Sequence, residues 1–379
     1  MKEYVYLDNA ATTKVLEEAA EVTEKYLKSQ FFNPSALYQN AINVARDIKT
    51  ARNTIAMILG VEENTLIFLS SGSESDNQAL FCTHKRPHSR IIISATEHSA
   101  VYNSAMELKQ RGFDVVEAPT DRNGKVIEED FVKLLNDNVS MVSIMHVNNV
   151  TGAINDIKRL VELTKESCPT ALFHSDGVQA FCKIPVKLKA LGVDLYSASS
   201  HKVGAPKGSG FLYVKKGVNV SPLIYGGGQE RGLRSSTENV PAIMGFATAS
   251  KIAYENMNIL KEKGDEFFGT LREKLSQIED MEFLTSENSA PHILAVAFKN
   301  VRGEVLMHSL EEYGYITGIG SACSSKKGTA RIPAALGLSD GYQDGILRIS
   351  INPYDEYDAN QFAEKLIECY NLLKKYIRV

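Results

Sequence analysis

Between residues 65 and 214 short apolar runs take turns with amphipathic stretches. The runs are TLIFLS (65–70), RIIIS (90–94), DVVEA (114–118), VSMVSIMHV (139–147), ALFHS (171–175), VDLYSAS (193–199) and GFLYV (210–214). Helical patterns fill several of the gaps, at 97–111, 126–136 and 156–167. A further helix is expected over 36–59, where Ile42, Ala45, Ile48, Ile55 and Ile58 fall near helical spacing and Gly60 stands where a C-terminal cap would. Strand–helix alternation of this length predicts an α/β architecture, a mostly parallel sheet covered by helices.

The pattern changes after about residue 250. A long polar helical stretch, 247–277, leads into HILAVAF, a helix over 303–313, the loop GIGSACSSKK, the run ILRISI and a final helix over 356–376. That reads as a smaller α+β domain, with the first residues packing back against it. The expected division is a large domain over 15–250 and a small one made of 1–14 and 251–379, in keeping with about 100–200 residues per domain.

Composition adds boundaries rather than detail. Apolar residues make up 44% and charged residues 23% of the 379, as in ordinary globular proteins. The net charge of −4 gives no general attraction to nucleic acid or to an anionic membrane. MKEYVYLDNAATT has no apolar leader region, and no apolar run reaches membrane-spanning length. The five cysteines, Cys82, Cys168, Cys182, Cys323 and Cys369, are scattered and form no CxxC pair. That argues against a disulfide framework or a zinc site, and for a reducing cytoplasm. The segment CTHKRPH (82–88) reads as a solvated basic loop, so no metal is expected.

In open α/β sheets ligands bind where the strands end, and here five of the seven runs are followed by polar groups. TLIFLS is followed by SGSESDN, whose Gly72 and hydroxyls open a helix and offer a phosphate cradle without a P-loop or GxGxxG pattern. RIIIS is followed by His98, VSMVSIMHV by Asn148 and Asn149, ALFHS by Asp176 and Gln179, and VDLYSAS by His201 and Lys202. The inventory suits a ligand with a phosphate, a charged ring nitrogen wanting a carboxylate, a flat face for an imidazole, and a carbon open to a lysine amine. A Lys Schiff base with an Asp against the pyridinium nitrogen is how proteins hold pyridoxal 5'-phosphate.

The motifs YLDNAATT, NPSA, SSGSESDN, TEHSAV, MHVNNVTGAINDI, HSDGVQA, SSHKVGAPKGSGFLYV, GGGQERGLRSSTENV, GSACSS and LRISI stand in one order across residues 4–352. In that order the chain resembles the pyridoxal-phosphate-dependent cysteine desulfurases of the Nif/Isc type, in the aminotransferase class V family. The resemblance implies the type I, aspartate-aminotransferase-like fold and a homodimer. It implies that Lys202 carries the cofactor, that Asp176 pairs with the ring nitrogen, that Gln179 reaches the phenolic oxygen and that His98 stacks on the ring. Gly72, Ser73, Ser199 and His201 would hold the phosphate, joined by Thr237 of a second subunit. Asn149 and Arg348 would bind the carboxylate of L-cysteine, and Cys323 would be the nucleophile that becomes a persulfide as L-alanine leaves. A selenocysteine lyase or another class V enzyme is the alternative.

Cys323 has an argument of its own. GIGSACSSKKG is small and polar, Gly318, Gly320 and Gly328 lend flexibility, and Lys326 and Lys327 favour a thiolate. The chain departs from the family at Val150, where Glu is frequent, and at Gln229, where His is frequent. It also ends at LKKYIRV, whereas Isc-type members carry a further tail that docks the iron–sulfur scaffold. The expected sulfur acceptor is therefore a sulfurtransferase for tRNA thiolation, with the scaffold as the other possibility. The lysines and the basic segment HKRPHSR (84–90) would steer that partner. Direct contact with nucleic acid or membrane is not expected.

Overall fold

The computed structural model describes residues 4–83, 85–320 and 331–376. Strand β1 (Val5–Leu7) opens the chain. Seven strands follow: β2 (Leu66–Leu69), β3 (Arg90–Ser94), β4 (Asp114–Ala118), β5 (Val139–Ser143), β6 (Leu172–Asp176), β7 (Leu195–Ser199) and β8 (Gly210–Val214). They form one sheet in the order β2-β8-β7-β6-β5-β3-β4. Pairs β3–β4, β3–β5, β5–β6 and β6–β7 are parallel, while β8 runs antiparallel to both neighbours. The expected mostly parallel sheet is thus found.

Alternate residues of these strands feed two cores. Phe68, Ile92, Val142 and Phe173 face one side, with helices Gln39–Leu59, Ile157–Ser167 and Val240–Glu255. Ile67, Leu69, Ile91, Ile93 and Met141 face the other, with helices Gly72–Phe81 and Ser99–Gln110. Burial on both faces is why these segments read as apolar runs rather than alternating ones. Gly60 takes φ 69° and caps its helix as expected.

A second sheet collects β9 (Met281–Phe283), β10 (Ile293–Phe298), β11 (Tyr315–Ile319) and β12 (Ile346–Ser350), in the order β1-β11-β12-β10-β9. Strand β1 pairs in parallel with β11, Val5 opposite Tyr315. Its core holds Leu7, Val296, Phe298, Leu347 and Ile349, covered by helices Met257–Leu275, Gly303–Glu312 and Ala359–Lys374.

Three expectations need correction. The stretch 247–277 is not one helix but the end of Val240–Glu255 and the whole of Met257–Leu275. Asn256 makes the break, because its Nδ2 donates to the Ile252 carbonyl at 2.8 Å and ends the first helix. The helices then serve different cores, one through Phe246 and the other through Phe267. The run 139–147 is ladder strand only to Ser143. Beyond it, the Ile144 and His146 N–H groups still donate to His174 and Asp176 carbonyls at 3.1 and 2.8 Å. The basic segment near 84–90 is less solvated than its composition suggests. Lys85 folds back onto the Leu80 and Thr83 carbonyls, and burial lowers its pKa to about 8. Arg90 pairs with Asp114 at 2.7 Å. Helix Glu17–Lys28 was passed over by the periodicity because it buries only Ala19 and Tyr26.

One buried ion pair fixes the loop after β8. Arg52 donates to both Glu230 oxygens at 2.6 and 2.7 Å, and Glu230 also accepts the Phe68 N–H at 2.9 Å. The loop needs such a fastening, since Glu230, Arg231 and Ser236 hold φ of 49°, 60° and 144°. Arg52→Ala leaves Glu230 buried without its cation, and breaking such a pair costs about 3–5 kcal/mol. Urea unfolding should show a loss of that order. A loss below ~1 kcal/mol, the range of exposed pairs, would mean that water replaces the guanidinium.

Candidate active site

Strand β2 runs through Ser70 and Ser71 into helix Gly72–Phe81, and Ser71 Oγ caps it by accepting the Glu74 N–H at 3.1 Å. The first N–H groups of this helix have no acceptor within it, which makes its start an anion cradle. Gly72 is required there, because a Cβ would come within 2.7 Å of Val178 Cγ2. Strand β3 leads to His98, whose Nδ1 accepts the Ala100 N–H at 3.1 Å and caps helix Ser99–Gln110. That bond fixes the other ring nitrogen as the one carrying hydrogen when the ring is neutral. Strand β6 ends on Asp176, whose carboxylate accepts the Val178 N–H at 2.9 Å. Strand β7 ends on Ser199, and a single tight turn then places Ser200, His201 and Lys202.

These strand ends open on one cleft of about 910 Å³. Gly72, Ser73, His98, Asn149, Asp176, Gln179, Ser199, His201, Lys202 and Arg348 all line it. The other wall comes from the N-terminal segment and the second sheet. Lys202 Nζ donates to the Ala10 and Ala11 carbonyls at 2.6 and 2.7 Å. Gln179 Nε2 donates to the Ala10 carbonyl at 2.8 Å, and His292 lies 3.3 Å from Gln179 Oε1. Arg348 donates to Asp8 and to the Asn149 carbonyl, both at 2.7 Å, while its Nε is buried without a partner among the described residues. Gly318 gives this pair room, since a Cβ there would meet Asp8 Oδ1 at 2.3 Å.

The cleft shifts its titrating groups in useful directions. Burial, then the Arg348 charge, lowers the Lys202 pKa to about 8, so a neutral amine is reachable near physiological pH. Burial lowers His201 to about 4, which leaves that ring neutral. Enclosure by the cleft walls lowers His98 as well, against the pull of Asp176. Burial raises Asp176, opposed by His98, the Val178 N–H and Lys202.

Two expected residues are not in this group. Thr237 is exposed and lines a separate cleft of about 170 Å³ with Arg234 and Glu230, so a chain does not bring its own Thr237 to its own Lys202. Cys323 lies outside the described residues, as do Lys326 and Lys327. Ile319, Gly320, Arg331 and Ile332, on either side of that segment, line the cleft. Asn149 supports Arg348 through its carbonyl. Val150 turns into an apolar cluster with Ala295, Ile332 and Ile346.

Four lining or supporting residues were missed. Asp8 and Asp76 sit inside motifs quoted for other members, and Glu97 sits beside His98. Glu97 is buried and accepts the Met145 N–H at 2.7 Å. Arg331 donates to the Ala95 and Glu97 carbonyls and lies 4.0 Å over the Tyr102 ring. Nothing in its local sequence marks it.

The sequence and the fold are matched by known proteins. The family model described as Aminotransferase class-V matches residues 5–359. A cysteine desulfurase IscS of Clostridium botulinum is 35% identical over 364 residues, covering 93% of this chain and 90% of that one. A solved NifS-like protein superposes with a TM-score of 0.91 at 34% identity, covering 98% of this chain and all of the other. The solved structure described as SspA in complex with cysteine gives a TM-score of 0.80 at 30% identity, with 93% and 99% covered. The chain belongs to the aminotransferase class-V family and, within it, to the cysteine desulfurases of the Nif/Isc type.

The depressed Lys202 pKa has a consequence for stability. The unfolded chain, at the ordinary 10.5, binds more protons than the folded one between pH 8 and 10.5. Stability of the cofactor-free protein should therefore rise across that window. Lys202→Met removes the titrating amine, so its part of that rise should be absent from the variant. Urea titrations of both proteins from pH 7 to 10.5 check this. An equal rise in the variant would mean that the titration of Lys202 is not its source.

Proposed function

We propose that this chain removes sulfur from L-cysteine with pyridoxal 5'-phosphate, leaving L-alanine and a persulfide on Cys323. The observation that carries the proposal is that Lys202, Asp176 and the helix start at Gly72 line one cleft. The residues fit the cofactor. Asp176 is a buried carboxylate with one backbone donor, suited to a ring N–H. Free N–H groups at Gly72 and Ser73, with Ser199 and His201, suit a phosphate. Gln179 is in reach of the same space, and His98 stands where it can cover a flat ring.

When bound, pyridoxal 5'-phosphate draws electrons from the carbons of an attached amino acid. The chain supplies the rest. Asp176 would favour a protonated ring nitrogen. The Lys202 amine, depressed to about 8, would hold the cofactor and, when free, move the α-proton. Arg348, braced by Asp8 and the Asn149 carbonyl, receives the substrate carboxylate through a planar fork. Asn149 assists. The Cys323 thiolate attacks the substrate sulfur, an S–S bond forms as the carbon–sulfur bond breaks, and the three-carbon fragment gains protons and leaves as L-alanine.

A homodimer would give Thr237 its role. Leu223, Ile224 and Tyr225 are exposed, Tyr225 to 79%. The Ile224 carbonyl accepts the Ser235 N–H at 3.1 Å, so this exposed apolar face borders the Thr237 loop. Covering that face with a second copy would carry Thr237 toward the partner's phosphate cradle. The sulfur would then pass to an acceptor protein, a tRNA-thiolating sulfurtransferase or an iron–sulfur scaffold. No helix among the described residues is long and apolar enough to cross a membrane.

The test is to supply purified protein with pyridoxal 5'-phosphate and L-cysteine. Alanine should appear, and mass spectrometry should find one added sulfur on the Cys323 peptide. Cys323→Ser should bind cofactor yet release no alanine, and Lys202→Ala should be inactive. Sulfur on Cys82, Cys168, Cys182 or Cys369 instead would reject Cys323 as nucleophile. Rapid turnover by Lys202→Ala would reject the whole reading.

Arg348→Lys keeps the charge but loses the fork, so the KM for cysteine should rise about tenfold or more, the scale of a charge-assisted bond. Cofactor absorbance should stay as in the unaltered protein. An unchanged KM would place the carboxylate elsewhere.

A further inference from the structure

Two carboxyl groups share the inner end of the cleft. Asp176 ends β6, and Asp76 projects from the second turn of helix Gly72–Phe81. One oxygen of each and a ring nitrogen of His98 all lie within 4.8 Å of one another. Asp76 is 1% exposed, and its Oδ1 has no hydrogen-bond partner among the described residues. No Lys or Arg of the described residues pairs with it. Its nearest basic atom is His174 Nε2, at 3.6 Å. That imidazole is occupied by Ser143 Oγ at 2.8 Å and Ser197 Oγ at 3.0 Å, and burial holds it neutral with a pKa of about 3.

Two carboxyls this close, in a site this dry, do not both ionise. The other groups around them decide which keeps the proton. His98 and Lys202 draw Asp176 toward the anion, and the Val178 N–H donates to it. Asp76 faces Asp176, buried Glu97, neutral His174 and the hydroxyl of Ser197, with no cation of its own. Burial first, and then the charge of Asp176, hold Asp76 well above the usual carboxylate range. The proton belongs on Asp76.

We propose that Asp76 is a positioning residue: a neutral carboxylic acid that donates a hydrogen bond to the Asp176 carboxylate, directly or through one water, and keeps Asp176 ionised toward the cofactor ring nitrogen. The inference rests on the reading that Asp176 meets that nitrogen. A hydrogen bond into a carboxylate lowers its proton affinity, so without the donor Asp176 competes for the ring proton and the pairing weakens.

The experiment compares holoenzyme of the unaltered protein, Asp76→Asn and Asp76→Leu. It reads the dissociation constant of pyridoxal 5'-phosphate and the pH titration of the bound cofactor's absorbance, neither of which requires turnover. Asn offers an N–H donor without charge and should keep the dissociation constant within about twofold. Leu offers none and should weaken cofactor binding about tenfold or more, as expected for a lost bond to a charged group, and displace the titration midpoint. If the Leu protein does not fold, Asp76→Ala takes its place. Equal impairment of Asn and Leu would overturn the proposal, because the negative charge rather than a donor would then be what matters. A Leu variant that binds and titrates normally would overturn it too. Failure of the unaltered protein to bind the cofactor at all would instead strike the reading beneath it.

Discussion

Lys202 is held by two main-chain carbonyls, those of Ala10 and Ala11, and the segment that carries them is pinned on both sides. Before it, β1 lies in the second sheet against β11, and Asn9 Nδ2 donates to the Ser350 carbonyl at 3.0 Å. After it, Thr13 donates to the His201 carbonyl from both its N–H and its hydroxyl. Residues 8–13 are therefore the seam of the site. The first sheet contributes Asp176, Ser199 and the turn to Lys202, the second contributes Arg348, and this segment lies between them. Two carbonyls can hold a protonated amine but offer nothing to a neutral one beyond its donors. The seam thus restrains Lys202 while burial makes its charge costly, a combination suited to a group that must let go.

The large sheet explains why the rest of the lining is precise. Its strands are buried on both faces, so a register slip would move apolar side chains to the wrong core. Asp176, Ser199 and the turn to Lys202 are placed by that register. The helix starts at Gly72 and Ser99 then bring backbone N–H groups to the same edge, one capped by Ser71 and the other by His98. The ion pair of Arg52 with Glu230 does similar work farther out, holding a loop with several left-handed residues against β2.

The large sheet was legible because burial on both faces leaves uninterrupted apolar runs, and the polar residues that follow those runs are the ones the cleft collects. The resemblance supplied the roles. Failures came where side chains answer to distant partners. Asn256 breaks a helix that composition alone would continue. Helix Glu17–Lys28 buries two residues, too few for a period to show. Lys85 looks like a surface charge and is spent on the Leu80 and Thr83 carbonyls. Arg331 and Asp8 acquire meaning only from the strand ends they meet. Val150, a change of polarity on paper, does line the cleft and also packs beneath Gly320, whose missing Cβ would stand 3.1 Å from it.

The seam also bears on how the molecule is assembled. Asp8 meets Arg348, and Asn9 meets Ser350, across 340 and 341 positions of chain. Residues early in the sequence are thus completed by residues far along it. Contacts of such long sequence separation close late, after their loop entropy has been met by other structure. The seven-stranded sheet has all its strands between residues 66 and 214 and can gather its core while the second is still being made. The chain is thereby spared a half-built cleft: the lysine and the arginine face each other only once both sheets have been made.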